Sequence, residues 1–179
     1  MISSEKEIKL AGIANDSIVD GPGLRITFFF QGCLHACEGC HNPESWALDG
    51  GDETCVDDLL AKIDMNPLLQ GVTFSGGEPL LRAEALLPLA EGVRARSLPL
   101  AIYTGYTFEE VLASGDRAAL ELLTYAETMI DGPFILAQRS LTLPFRGSHN
   151  QRILDVASSI ATGSAVATSD PEWMYHLTD

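Results

Sequence analysis

Three of the chain's four cysteines, Cys33, Cys37 and Cys40, fall within eight residues in the spacing C-x3-C-x2-C. A disulfide framework usually spreads its cysteines along a chain, whereas clustered thiols point to a soft metal or a metal cluster. Thiolates select zinc or iron–sulfur chemistry. A structural zinc site wants four ligands in a closed tetrahedron, and this loop supplies three thiols. Zinc completed by His35 or His41 is the alternative reading. A four-iron cubane held by three cysteines instead leaves one iron without a protein ligand. That open corner would bind a chelating small molecule, and it is the preferred reading. Cys55 stands apart from the triplet and reads as a small structural thiol.

Further along lies Ser75-Gly76-Gly77-Glu78-Pro79. Two glycines after a strand allow close approach to the backbone. Their carbonyls and the Glu78 carboxylate are acceptors suited to a cationic amine rather than a phosphate. Gly105-Tyr106-Thr107 and Asp131-Gly132-Pro133 are two further unusual clusters.

Each cluster sits at the end of a strand-like run. Residues 24–31, 71–74, 100–104 and 128–131 are apolar or β-branched and bounded by turn formers. A fifth strand is expected over 151–156 and an extra one over 8–13. Between them, Val56, Leu59, Leu60 and Ile63 mark a helical face over 54–63, with Thr54 and Asp57 resembling a capping box. Leu86, Leu89, Ala90 and Val93 mark a second helix that Pro88 kinks or restarts. Ala119, Leu122, Leu123 and Ala126 mark a third, capped by Asp116. The strand ends recur roughly every 30–40 residues, as repeated β/α winding requires. A full eight-unit barrel takes about 250 residues, more than the 179 present. The expected fold is therefore α/β, a partial (β/α) barrel with a curved parallel sheet and its active site at the C-terminal strand ends. The domain is expected over 1–156, with an extension or tail over 157–179.

The chain carries 25 acidic and 11 basic side chains, a net charge of −14. Such a chain gains nothing from counterion release on nucleic acid and is repelled by an anionic membrane. No run approaches the ~18 apolar residues of a membrane span. The first ten residues are polar and lack the apolar stretch of a secretory signal. A cytoplasmic location is the expectation, with neither nucleic acid nor membrane as partner.

The cysteine spacing followed one strand later by Gly-Gly-Glu resembles the radical S-adenosylmethionine superfamily. Asp20-Gly21-Pro22-Gly23-Leu24-Arg25, the cysteine loop with His41-Asn42-Pro43, and Ser75–Pro79 look like the activating enzymes of glycyl-radical enzymes. Tyr103–Thr107, Asp131–Phe134 and Phe145-Arg146-Gly147-Ser148-x-Asn150-Gln151-Arg152 look more narrowly like the activating proteins of anaerobic ribonucleoside-triphosphate reductase. The resemblance runs from about residue 10 to residue 156 and implies an oxidoreductase. Its cofactors would be a 4Fe-4S cluster on Cys33, Cys37 and Cys40 and S-adenosyl-L-methionine bound near Gly39, His41, Gly76, Gly77, Glu78, Thr104 and Asp131. Asp20, Gly21, Gly23 and Arg25 would rim the mouth for the partner's glycine loop. The implied partners are a glycyl-radical enzyme, the large subunit of anaerobic ribonucleotide reductase, and a low-potential electron donor. The activase of another glycyl-radical enzyme, such as pyruvate formate-lyase, is the alternative, and a non-catalytic zinc module the remoter one. The resemblance assigns no side chain a catalytic role of its own. Gly39 departs from the aromatic residue common before the third cysteine, and His41 becomes the candidate to cover the adenine.

The remaining polar residues have plainer readings. His35 reads as loop packing or a donor behind the ligands, and His149 and His176 as surface residues. Arg146 and Arg152 are expected to pair with acids or meet the partner. Residues 44–64 hold seven acids against Lys62, a solvated face or a dock for a basic partner.

Overall fold

The computed structural model describes residues 8–174; Tyr175 and His176 lie outside them. One seven-stranded sheet organises the chain, built from β1 (Ile8–Ser17), β2 (Arg25–Phe30), β3 (Asp52–Thr54), β4 (Gly71–Gly76), β5 (Leu100–Tyr103), β6 (Thr128–Asp131) and β7 (Arg152–Asp155). Its order is β3-β1-β2-β4-β5-β6-β7. The two edges, β3 and β7, are not partners, so the barrel is partial.

The four central strands, β2, β4, β5 and β6, pair in parallel. Parallel neighbours need a crossover, which α1 (Val56–Asp64), α2 (Ala83–Ala95), and α3 (Phe108–Ser114) with α4 (Arg117–Leu123) supply. The central sheet is parallel as expected, and the flanks add antiparallel strands. β1 runs antiparallel to β2 and β3, and β7 antiparallel to β6. The β6–β7 connection holds only a short 3₁₀ turn, Leu136–Gln138. Without a crossover helix, β7 returns antiparallel.

Alternation sorts the strand residues onto two faces. Ile26, Phe28, Phe30, Val72, Phe74, Leu100 and Ile102 are essentially fully buried. They share one core with Leu59 of α1, Leu86, Leu89 and Val93 of α2, and Leu122 of α4. At about 1.5–3 kcal/mol per large apolar side chain, this layer is the main source of stability. The opposite face carries Arg25, Thr27, Thr73, Ala101 and Ile130, and it forms the inside of the partial barrel.

Helix starts follow their caps. Asp116 accepts from the Ala118 and Ala119 amides, as expected. Thr107 and Glu110 form a capping box on α3. Thr54 does not cap α1: it ends β3, and Cys55 takes the N-cap position without a side-chain hydrogen bond. Pro88 neither stops nor restarts α2, which runs through it. After β7, α5 (Val156–Thr162) begins at once, with Asp155 as its cap. The chain then returns to the β7 edge through a Leu154–Ala167 bridge and a Thr168 amide to Ile153 carbonyl bond of 2.9 Å. Among the described residues, no helix is long and apolar enough to cross a membrane.

Candidate functional site

The C-terminal ends of the parallel strands open on a cavity of about 780 Å³. Cys33, Cys37 and Cys40 line it, together with Gly76, Gly77 and Thr104. All three thiols are free and half-buried. The loop curls them to one side through two left-handed residues, Ala36 (φ 49°) and Gly39 (φ 74°). A Cβ on Gly39 would lie 2.9 Å from Leu136 Cδ1, so a side chain there would have to displace Leu136 and adopt a left-handed backbone. The Cys40 amide donates to the Cys37 carbonyl at 3.1 Å and closes the last turn.

The loop is stitched to its neighbours at its root. Gly32 and Cys33 amides donate to the Ser45 and Trp46 carbonyls. The Gly77 amide donates to Phe30 carbonyl at 2.7 Å, and the Glu78 amide to Gly32 carbonyl at 2.8 Å. A Cβ at Gly76 or Gly77 would sit 2.4 Å from backbone atoms of Phe30 or Gly32. The two glycines are thus fixed by the close approach of β2 and the cysteine loop, in addition to lining the cavity.

Glu78 lies behind the cavity wall, 1% exposed. Its Oε2 accepts from His35 Nε2 at 2.7 Å and from the Gly105 amide at 2.9 Å, and its Oε1 accepts from the Leu80 amide at 3.0 Å. His35 also packs edge-on to Tyr106, ring centroids 4.5 Å apart. The Glu78 hydrogen bond raises the His35 pKa, against an opposing contribution from burial. Burial likewise pushes the Cys33 thiol up, a backbone bond at His35 partly opposing it. A bound cationic centre would favour the thiolate forms.

His41 lies beside Phe134, ring centroids 5.4 Å apart, and both line the cavity. Thr104 is buried, and its Oγ1 accepts from the Tyr106 amide. Asp131 is fully buried behind the wall, while its neighbour Gly132 lines it. The Asp131 carboxylate takes the Phe108 amide at 2.8 Å and both Nε and a terminal nitrogen of Arg152. Arg152 also forks to Glu109, so it pairs with acids as expected.

The four residues expected at the mouth separate. Asp20 lines the cavity, and its Oδ2 accepts from Ser17 Oγ and Thr27 Oγ1. Gly21 packs against Arg25 and Trp173. Gly23 and Arg25 line a second cavity at the other end of the strands. Arg25 is 2% exposed and donates to Thr73 Oγ1 at 2.8 Å and Val72 carbonyl at 2.7 Å. Burial pulls its pKa down to about 10, so it stays charged at neutral pH. A cation at the first position of β2 is held inside the sheet by the Thr73 hydroxyl and the Pro22, Val72 and Pro99 carbonyls rather than presented on a rim.

Sequence reasoning missed Trp46, and it gave Tyr103, Phe134 and Phe145 only as members of motifs, without a place at the site; all four line the cavity. No local motif marks Trp46. Trp46 Nε1 and Arg146 Nε are buried without a hydrogen-bond partner, and both residues line the cavity. Both are donors lacking acceptors, which suits a sulfide-rich cluster and a carboxylate-bearing sulfonium. Among the described residues, no three His, Cys, Asp or Glu side chains converge on a single ion. A multi-iron cluster needs no such convergence, because each thiolate binds a different iron. The donor set fits a three-cysteine cluster.

A family profile described as "4Fe-4S single cluster domain" matches residues 19–154. The anaerobic ribonucleoside-triphosphate reductase-activating protein of Haemophilus influenzae is 38% identical over 147 residues, covering 76% of this chain and 90% of that one. The protein of that name from Enterobacteria phage T4 is 36% identical over 141 residues, covering 75% and 86%. The pyruvate formate-lyase-activating enzyme of Clostridium pasteurianum is 38% identical over 123 residues, covering 64% of this chain and 52% of that enzyme. Among solved structures, QueE from Escherichia coli aligns with a TM-score of 0.49 at 18% identity, covering 60% of this chain and 59% of that one.

Proposed function

The chain belongs to the 4Fe-4S single cluster family, among the anaerobic ribonucleoside-triphosphate reductase-activating proteins, and from that membership we propose that it installs a glycyl radical on such a reductase. It is a radical S-adenosylmethionine oxidoreductase. The observation that carries the reading is the meeting of Cys33, Cys37 and Cys40 with the Gly76–Gly77 backbone around one cavity at the strand ends.

Cys33, Cys37 and Cys40 would hold the cluster. When bound, it would supply the one-electron reduction, from a low-potential donor, that splits S-adenosylmethionine into methionine and an adenosyl radical able to take a hydrogen atom from the partner's glycine. The chain's own residues orient and shield. Glu78 ties the cysteine loop, through His35, to the Gly105 turn and fixes the distance between the two walls. The Gly76 and Gly77 carbonyls are acceptors for the methionyl amine. His41 and Phe134 offer flat faces for the adenine, and Thr104 a hydroxyl toward the ribose. Asp131, clamped by Arg152, holds Gly132 and the start of α3 rigid behind that pocket. Asp20 and the exposed Ile18 and Val19 stand at the mouth. Holding a reactive carbon against one C–H bond is a matter of position and exclusion of stray donors. The net charge of −14 supports a role without nucleic acid or anionic membrane, and with it a cytoplasmic site of action.

Anaerobic reconstitution tests the reading. Iron and sulfide should be bound together, and mixing with anaerobic ribonucleotide reductase, reductant and S-adenosylmethionine should give a glycyl signal by electron paramagnetic resonance. A signal with pyruvate formate-lyase alone would favour the alternative activase. Zinc without sulfide would remove the enzymatic reading altogether.

A further inference from the structure

The partial barrel contains a second cavity, of about 550 Å³, at the N-terminal ends of the parallel strands. Arg25, Pro99, Thr128 and Trp173 are among its walls. Phe145 belongs to both cavities and is the partition between them. Its backbone is left-handed, with φ 54°, and its carbonyl accepts from Tyr103 Oη at 2.8 Å.

Trp173 supports this partition from below. Its ring meets the Phe145 ring edge-on, with centroids 5.3 Å apart and planes at 73°. It packs with Ala101, Ile130 and Ile153 on the inner face of the sheet. The Arg25 guanidinium lies 5.8 Å from its ring. Trp173 is 5% exposed although it lies near the end of the chain. It is beyond residues 19–154, the span that the family profile matches.

We propose that Trp173 is a positioning residue that closes the floor of the reaction chamber by holding Phe145 between the two cavities. The inference rests on the function proposed above. An adenosyl radical takes hydrogen from any accessible weak bond. With the floor open, a small thiol reaches the chamber from the lower cavity. Its S–H bond breaks, a C–H bond forms at C5′, and a thiyl radical leaves in solution. The product is 5′-deoxyadenosine, and the partner's glycine keeps its hydrogen. Water is a poor competitor, because its O–H bond is stronger than the C–H bond that would form.

The test uses the full-length, reconstituted protein with its reductase, S-adenosylmethionine, a low-potential reductant and a small thiol in heavy water. Two quantities are read: 5′-deoxyadenosine formed per glycyl radical, and deuterium carried into 5′-deoxyadenosine. Trp173→Ala should raise the first by about tenfold, equivalent to about 1.4 kcal/mol in the competition between the two transfers. Deuterium content should rise with it, while Trp173→Phe, which keeps a ring against Phe145, should stay near wild type. If Trp173→Ala does not fold, Trp173→Leu replaces it. A folded, active Ala or Leu variant with an unchanged ratio overturns the inference alone. Separately, acrylamide quenching of Trp173 fluorescence in the cluster-free Trp46→Phe protein should be weak, and quenching like that of free indole would overturn the packing on which the inference stands. Weak quenching in the Trp46→Phe protein, together with a wild-type protein that cleaves no S-adenosylmethionine, would bring down the functional reading first, and the inference with it.

Discussion

At the scale of single residues, the site separates groups that would touch ligand from groups that hold those groups still. Cys37 lines the cavity and Cys55 does not. Cys37→Ala should abolish cluster assembly and S-adenosylmethionine cleavage, whereas Cys55→Ala should keep both, as read by iron and sulfide content and by 5′-deoxyadenosine formation. The reverse pattern would overturn the ligand assignment. Glu78 belongs to the second group. Its carboxylate satisfies donors from His35, Gly105 and Leu80 in a buried setting. Glu78→Ala strands those donors, and a buried unsatisfied group costs about 1–3 kcal/mol. Some relaxation around His35, which is partly exposed, tempers the sum. A loss of about 3 kcal/mol in chemical denaturation of the cluster-free protein is expected. Glu78→Gln keeps an acceptor oxygen and should lose less. If Glu78→Ala melted like wild type, its role would be confined to ligand binding.

At the scale of elements, what matters is how the strand ends are locked to the helices that follow them. Asp131, the last residue of β6, joins the first amide of α3 to Arg152 at the start of β7. Removing one partner of a buried ion pair leaves an uncompensated charge. Arg152 is 39% exposed, so water can partly replace it, and Arg152→Ala should cost about 3 kcal/mol. Its hydrogen bond also holds the Glu109 carboxyl below its ordinary pKa. Such a group stabilises the fold fully above the unfolded carboxylate value of about 4.3, and the benefit disappears as pH falls through the lower folded value. The melting temperature should therefore drop on acidification below about pH 5, less steeply in Glu109→Gln than in wild type. Equal slopes would mean the pair contributes nothing. These locks were only half legible in the sequence. The parallel strands and their terminal clusters were readable because alternation, buried runs and glycines survive in one dimension. The Asp116 cap was readable for the same local reason. β3 was not, because Asp52-Glu53-Thr54 carries no apolar alternation and exists only through its pairing with β1. The antiparallel course of β7 depends on the absence of a crossover helix, which residues 132–151 do not advertise. α3 was missed although Thr107 and Glu110 spell its capping box. Glycines 76 and 77 read as making room for a ligand, and they also admit the backbone of β2 and of the cysteine loop, a long-range contact no local motif reports.

At the scale of the whole molecule, the two ends of the barrel differ, and the proposed function brings the reductase to the upper one. Arg25 and Trp173 stand in the walls of the lower cavity, while the upper cavity has an apolar rim. Ile18 and Val19 are each 71% exposed and Leu141 is 84% exposed, yet all three line the cavity. A small-molecule site would gain little from such residues at its lip. A protein surface that must admit a glycine-bearing loop gains contact area at the moment of docking, and an apolar side chain that is one of the few anchors of an interface contributes about 1 kcal/mol by truncation (about fivefold in affinity). Leu141→Ser should leave the fold untouched, since exposed substitutions usually stay within about 0.5 kcal/mol. It should leave the slow, partner-independent cleavage of S-adenosylmethionine unchanged, because that reaction involves only the inner wall. Half-saturation by the reductase should instead move upward by about fivefold in titrations of glycyl-radical yield. A uniform fall in both reactions would show that the 141–146 loop shapes the inner cavity instead, and an unchanged titration would place the docking surface elsewhere on the acidic exterior. The contrast between the two reactions matters because a radical chamber is useful only when the rim that admits the partner is separate from the wall that holds the cofactor.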